Sequence, residues 1–450
     1  MTKRIYSFVI LLILLTVTAG SLRAQEPEGG RRLTLAEAQQ MALKNNPTIR
    51  ISELEVALAR NNAEKSRQQR IPQLYGDVNL QRNLILPTTP VPAKAFDPSA
   101  GEDELIHLRF TTKWTANAGL NASVDLFNPE QAGSIQRASL EAGLSEADQR
   151  LTENQLMFEV GNAFYACMIA DEQLRLAEID TLTRRKILDM HERQFEKGRI
   201  NRADLNLAKM ELNNSRMLLI ESQMIYDNAK DKLLVFLGIA PDQTVVIRLI
   251  GEADFTETKE LATHIEADDE PVTLQRLRRE QAINALDYKV ARRSFLPIVS
   301  LSGYYGANYF DNRFEIFKSG NWYGNSFINV GIRIPLSDHL LRNKELARLK
   351  IQEEIISENI KSATLERQQT IQEAERDVRY NQSLYYARKE NLDMAEETTR
   401  IIQLQYDSGR LLLSDYYQQL YQFQKERAAY LESKYRLLIS KLSLEKAKSN

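Results

Sequence analysis

The chain has 450 residues, room for two or three ordinary domains. Its 59 Lys and Arg nearly balance 61 Asp and Glu, which gives no reason to propose a nucleic-acid partner, since that usually needs a basic face. A single cysteine, Cys167, excludes an intrachain disulfide framework and a Cys-rich metal site. Only 18 Gly and 12 Pro over this length point to long regular elements rather than many tight turns.

In chain order, Lys3 and Arg4, an apolar run from Phe8 to Gly20, and Ala24 before a cut predict a secretory signal peptide over 1–24. The run is shorter than the ~20 residues of a spanning helix. No Cys follows the cut, so no lipid anchor is expected. No later apolar run is long enough to span as a helix, so any membrane insertion must use strands.

Residues 25–237 form a first repeat. The helical stretch from Leu33 to Asn46 continues past Pro47. After Pro72 the period changes to two, giving strands at about 73–84 and 114–127. Leu74, Val78 and Leu80 oppose Asp77, Asn79 and Gln81; Ala118, Leu120, Ala122, Val124 and Leu126 oppose Asn117, Asn121, Ser123 and Asp125. The loop from Leu84 to Phe110 is Pro-rich and expected to be irregular. Asn128-Pro129 is an N-cap followed by proline at the first helical position. A helical hairpin over 129–237 follows.

An acidic linker, 238–271, leads to a second repeat over 272–450. Helix Val272 to Arg293 precedes strands at about 297–310 and 325–335, with Phe310 to Gly324 as their loop. Val299, Leu301, Tyr305 and Tyr309 alternate with Ser300, Ser302 and Asn308; Ile328, Val330, Ile332 and Ile334 alternate with Asn329, Gly331 and Arg333. Ser337 or Asp338 caps a second hairpin over 337–447. The first helix of each hairpin runs for about 68–70 residues, roughly 100 Å at the helical rise, far beyond a globular helix.

The two hairpin turns repeat one pattern, QFEKGRINRADL from Gln194 and QYDSGRLLLSDY from Gln405. Gly198 and Gly409 supply a positive φ. Asp204 and Asp415 stand in the first turn of the returning helix, where an acid favours the helix dipole. Arg199 and Arg410 are solvated charges, or they pair with a neighbouring tip or partner.

Four strands of about ten residues cannot close a barrel, since membrane barrels start at about eight strands. Several chains contributing four strands each would, so an oligomer is expected, with apolar strand faces toward lipid. Tyr75, Trp114, Phe127, Tyr304, Tyr309, Trp322 and Tyr323 are either interfacial girdles or ordinary strand aromatics. HERQF at His191 lacks the second His of a zinc helix. His107, His264 and His339 are scattered as surface residues are, and Cys167 sits among apolar neighbours as a packed small hydrophobe. No catalytic constellation and no cofactor motif is present in the sequence. A periplasmic coiled-coil scaffold or adaptor without a pore is the alternative; the four two-faced strands oppose it.

The chain resembles the TolC-like outer membrane efflux proteins. The stretch from Leu33 to Pro47, the segment from Phe158 to Glu178 with Ala163, Phe164 and Tyr165, and both aromatic-x-x-Gly tips carry the resemblance, which covers 33 to 446. The resemblance implies a mainly α fold with a membrane β-barrel: two repeats of short helix, two strands, long helix, hairpin turn and helix. It implies a homotrimer with a 12-stranded barrel in outer membrane lipid and a 12-helix periplasmic tunnel. The implied partners are a periplasmic adaptor and an inner-membrane pump of RND or ABC type, for efflux or type I secretion. The implied periplasmic gate is Tyr406, Gly409, Arg410, Asp415 and Gln418, and the implied adaptor-docking tips are Gly198, Arg199, Asp204, Gly409 and Arg410. Gln418 replaces a second Asp of the family pattern and Leu411 replaces an Arg. An Asp415 ring would gather cations at the entrance; otherwise Asp415 serves the helix start alone.

Overall fold

A computed structural model describes residues 31–240, 247–249, 270–336 and 338–450. The expected signal peptide, Ser337, His264 and most of the 238–271 linker lie outside the described residues, as does the side chain of His339. The elements are β1 (Arg31–Leu33), α1 (Leu35–Asn45), α2 (Pro47–Gln68), β2 (Gln73–Arg82), β3 (Thr89–Pro92), β4 (Leu105–Leu108), β5 (Trp114–Phe127), α3 (Pro129–Glu196), α4 (Arg202–Phe236), β6 (Ile247–Leu249), α5 (Val272–Arg293), β7 (Ile298–Asp311), β8 (Trp322–Arg333), α6 (Asp338–Asp407) and α7 (Leu413–Ser449). Helix, two long strands, long helix, turn and helix thus occur twice. Among the described residues no helix is long and apolar enough to cross a membrane.

The chain divides into two compact units that cut across the two sequence repeats. One takes the described residues of Met1–Ile49, Glu153–Ala267 and Ile371–Lys448. Its core joins Ala38 and Ala42 of α1 to Val160, Ala163, Phe164 and Cys167 of α3 and to Leu233 and Leu237 at the end of α4. The Ala-aromatic step of the sequence is therefore a packing element: Ala163 and Phe164 are buried where α1 lies against α3. Burial pushes the Cys167 thiol up to about 12, with Asp171 adding to the effect, which leaves it a packed, unreactive group. Thr34 caps α1 in a reciprocal box with Glu37. β1 and β6 form a short parallel pair that hydrophobic alternation did not reveal.

Gly238 ends α4 with φ +73, and a Cβ there would come within 2.5 Å of the Asn45 carbonyl oxygen. Gly409 has φ +75 with open space around it. Gly409→Ala is expected to cost ~1 kcal/mol, the left-handed backbone alone. Gly238→Ala adds overpacking against a backbone atom and is expected to cost ~2–4 kcal/mol. Urea unfolding of the two variants side by side measures the difference.

The second unit takes Arg50–Thr152, the described residues of Asp268–Thr370, and Ser449–Asn450. It holds an antiparallel sheet in the order β2-β5-β7-β8, with β2 and β8 at open edges. The register places Leu74, Ala122, Gly303 and Ile328 in one row, and Val78, Ala118 and Ala307 in another. The alternating apolar residues of all four strands thus share one face, and that face is exposed: Val78 is 78% and Ile328 82% exposed. The opposite face carries Asp77, Asn79, Asn117, Asn308 and Asn325 in adjacent rows. There Asp77 accepts from Asn79 and, at 3.1 Å, from Asn117.

Three expectations need correction. The loop from Leu84 to Phe110 is not irregular: β3 and β4 pair within it, Val91 opposite Ile106. Prolines Pro90 and Pro92 are tolerated because a two-stranded ribbon has free edges. Trp322 and Tyr323 belong to β8 rather than the loop, because they pair with Tyr309 and Asn308 and lengthen the ladder. Tyr75, Tyr304 and Tyr323 do not join an outer girdle, since alternation puts them on the polar face. The Tyr304 ring lies over Gly119 and Gly306, where any Cβ would collide with it. Trp114, Tyr309 and Trp322 do cluster at the sheet's loop end, with Tyr309 5.6 Å from Trp322 and Trp114 4.8 Å from Phe314.

Below the sheet Asn128 caps α3, its Oδ1 accepting from the Glu130 and Gln131 amides at 3.1 Å. Asn284 of α5 donates to the Leu349 carbonyl and to Glu353 of α6, and Arg137 of α3 meets Asp287 of α5 at 2.9 Å.

Candidate functional site

Both hairpin turns are built the same way. In the first, the Arg199 amide donates to the Gln194 carbonyl at 2.9 Å and the Gly198 amide to Phe195 at 2.8 Å. In the second, Arg410 donates to Gln405 at 2.9 Å and Gly409 to Tyr406 at 2.8 Å. These are Schellman closures with glycine in the left-handed position, φ +68 and +75. The duplicated Gln, aromatic and Gly-Arg are the residues of that closure. Asn201 caps α4, its side chain accepting the Asp204 amide at 2.8 Å. α7 begins at Leu413, so Ser414 and Asp415 stand inside its first turn rather than before it. Ser414 Oγ donates to Asp415 at 3.3 Å.

Around these tips lies an aromatic cluster that joins the two hairpins. Tyr406, in the last turn of α6, stacks on Tyr416 of α7 at 4.8 Å with the rings 9° from parallel. Ile187, Leu413, Tyr416 and Tyr417 are buried together, with Leu207, Ile402 and Leu411 packed around them. Tyr406 Oη lies 2.7 Å from Nε2 of His191, on α3 of the other hairpin. His191 is 2% exposed, and its Nδ1 is 2.8 Å from the Ile187 carbonyl. Burial pushes the Tyr406 phenol up to about 12, and Tyr416, Asp407 and Asp204 push the same way.

A buried ion cluster sits beside the aromatics. Arg184 of α3 pairs through Nε with Asp180 at 2.9 Å and through Nη1 with Glu211 of α4 at 2.5 Å. Its guanidinium lies 5.5 Å from the centre of the Tyr417 ring. A groove of about 500 Å³ opens here, lined by Arg184, Glu211, Ser414, Tyr417, Gln418 and Tyr421 among others.

The expected site residues fall into two sets. Tyr406 is in the cluster and Gln418 lines the groove. Gly198, Arg199, Gly409, Arg410 and Asp415 are exposed at the tips, and Asp204 is half-buried. The first tip is the more basic: Arg199 shares a groove of about 370 Å³ with Lys186, Arg193 and Lys197. Sequence reasoning missed His191, Arg184, Tyr416 and Tyr417. In the sequence His191 has the look of a zinc-helix fragment without its second His; its position two turns before Gly198, on the face that meets the second tip, is the available signal. Among the described residues no group of three or more His, Cys, Asp and Glu side chains could hold a metal ion.

Residues 38–238 match the family model described as Outer membrane efflux protein. The CmeC outer membrane channel of Campylobacter jejuni superposes with a TM-score of 0.71 at 16% identity, covering 96% of this chain and 91% of that one. The fold is that of an outer membrane efflux protein. Two curated relatives align with it in sequence. The alkaline protease secretion protein AprF of Pseudomonas aeruginosa is 23% identical over 323 residues, 70% of this chain and 62% of that protein. Outer membrane protein TolC of Vibrio cholerae is 22% identical over 312 residues, 67% of this chain and 64% of that protein. The alignments thus span a little under two thirds of either relative's length. The family match falls on the first repeat, and the superposition, covering 96% of this chain, takes in the second as well.

Proposed function

We propose that the chain is the outer membrane exit duct of an efflux pump or type I secretion system, passing substrates from a periplasmic entrance to the outside. The observation that carries this is the sheet: four strands of 10–14 residues with an exposed apolar face, a polar opposite face and two open edges. Those lengths suit a tilted membrane strand. Open edges at β2 and β8 are satisfied when copies join edge to edge, and only closure removes them all.

The helices favour the same association. Met210, Met217 and Met224 form an exposed seam at seven-residue spacing on α4, and Tyr380, Met394 and Ile401 recur in the same register on α6. Seven-residue apolar seams are what laterally packed helices present to each other. A homotrimer accounts for both, with twelve strands and a helical tunnel in the periplasm. The tips Gly198, Arg199, Asp204, Gly409 and Arg410 then meet a periplasmic adaptor that links to an inner-membrane pump. Tyr406, Gly409, Arg410, Asp415 and Gln418 border the entrance, where a ring of Asp415 carboxylates would attract cations. The role is transport, with no catalytic step.

The test is single-channel conductance of the purified protein in planar bilayers, wild type against Asp415→Ala, with and without divalent cations. Small cation-selective currents that divalents block, relieved in the variant, are the expected result. Unchanged currents in the variant would reduce Asp415 to a first-turn acid on α7. A folded oligomer that never inserts would overturn the duct.

A further inference from the structure

Arg82 ends β2 on the apolar face of the sheet, where a cation without a carboxylate partner needs a reason. We propose that the loop end of that face binds the phosphate groups of an outer-leaflet glycolipid, with Arg82 as the anchor; this rests on the duct reading above, which sets the face against lipid.

Alternation and register fix the place. Arg82 shares its face with Val78 and Leu80, and it stands directly opposite Trp114 in the ladder. Its guanidinium lies 5.4 Å from the centre of the Trp114 ring. The next row inward holds Leu80, Ala116, Tyr309 and Trp322. Arg82 therefore borders the apolar rows at the aromatic rim, where a lipid-facing Arg costs least.

Cations at the loop end divide by whether the chain pairs them. Within the connections, Lys94 meets Glu102 at 3.0 Å and Lys318 meets Glu315 at 2.5 Å. Arg82, Arg109, Lys113 and Arg313 lie at or near the strand ends; they are exposed and, among the described residues, form no ion pair. Asp311 is the carboxylate in the Arg82 row, but Trp114 stands between them. Asp311 is also occupied, accepting from Asn321 at 2.6 Å and from the Arg313 amide at 3.0 Å. The unpaired cations have exposed apolar neighbours: Leu84 and Ile85 follow Arg82 at 86% and 89% exposure, Phe110 follows Arg109, and Phe314 follows Arg313. Cationic and apolar side chains interleaved in this way suit the boundary between acyl chains and headgroups. The glycolipid of an outer leaflet carries its phosphates at that depth. A guanidinium fork grips phosphate with parallel hydrogen bonds, and the Trp114 ring holds the plane of that fork.

The chain's two tryptophans, Trp114 and Trp322, both stand at this rim, so intrinsic fluorescence reads it directly. The purified oligomer is titrated with bisphosphorylated lipid A, with the dephosphorylated lipid and with inorganic phosphate. The proteins are wild type, Arg82→Gln and the double variant Lys113→Gln, Arg313→Gln. Midpoints are compared rather than amplitudes, because Arg82→Gln alters the Trp114 signal itself. Wild type is expected to bind the bisphosphorylated lipid about tenfold more tightly than the dephosphorylated one, the worth of a charge-assisted hydrogen bond, and to ignore inorganic phosphate. Arg82→Gln should erase the preference and the double variant should reduce it. Equal midpoints for the two lipids in wild type, or a preference undiminished in either variant, overturns the proposal. A response to inorganic phosphate at the same concentrations makes this a free-anion site and also overturns it. Conductance of the same preparation separates the two readings. A conducting oligomer without lipid preference loses the site and keeps the duct; a lipid preference in a folded oligomer that never conducts keeps the site and loses the duct. If Arg82→Gln fails to assemble, the double variant still decides.

Discussion

Ile328→Arg is expected to remove the protein from the outer membrane, while Asn329→Arg, one residue on, is expected to leave assembly intact. Ile328 is in the middle of edge strand β8, in a row with Leu74, Ala122 and Gly303 on the exposed apolar face. Asn329 points to the polar face, where its side-chain amide donates to the Ser302 hydroxyl at 3.5 Å. In a wholly water-soluble molecule an Arg at an 82% exposed position would be close to neutral, within about 0.5 kcal/mol. On the lipid face of a barrel it costs ~2–4 kcal/mol near the midplane, and every copy in the oligomer bears that cost. The two substitutions therefore rank oppositely under the two environments. The measurement is the yield of heat-modifiable oligomer in outer-membrane fractions, followed by urea unfolding of the reconstituted protein. Equal yields for both variants would mean that the exposed apolar face does not meet lipid.

That face was legible in the sequence because strand periodicity is two, and one glance along Ser326–Pro335 assigns Ile328, Val330 and Ile332 to one side. The doubled order of elements was legible for a similar reason: two runs of helical period without internal proline leave little choice. Register was not legible, since the central ladder joins strands of different repeats, Trp114 opposite Asp311. The same alternation, applied to single aromatics, would have put Tyr75, Tyr304 and Tyr323 on the polar side. Their β-propensity drew attention to strand ends instead. β1 and β6 escaped notice because three residues carry no period. His191 escaped for a different reason: a lone histidine has meaning only through its neighbours, and Tyr406 lies 215 positions away. The second tip was visible as a turn motif; the contacts that fasten it to α3 were not, because they are made between hairpins rather than within one.

Arg184 is the second place where a large effect is expected. Its side chain is buried between α3 and α4, serving Asp180 and Glu211 with separate nitrogens while its plane covers the Tyr417 ring. Arg184→Ala is expected to cost ~3–5 kcal/mol, because it strands two carboxylates in a poorly solvated place rather than because the pair was itself strongly stabilising. Arg184→Lys keeps the charge but presents a single point where a fork is needed, and it lacks the flat surface for Tyr417, so an intermediate loss is expected. The decisive comparison is the triple variant Arg184→Met, Asp180→Leu, Glu211→Leu. Removing all three charges together should recover most of the loss, as apolar replacements of buried ion clusters do. Thermal unfolding followed by far-UV circular dichroism reads all three. A loss below about 1 kcal/mol for Arg184→Ala would place the cluster with ordinary surface pairs.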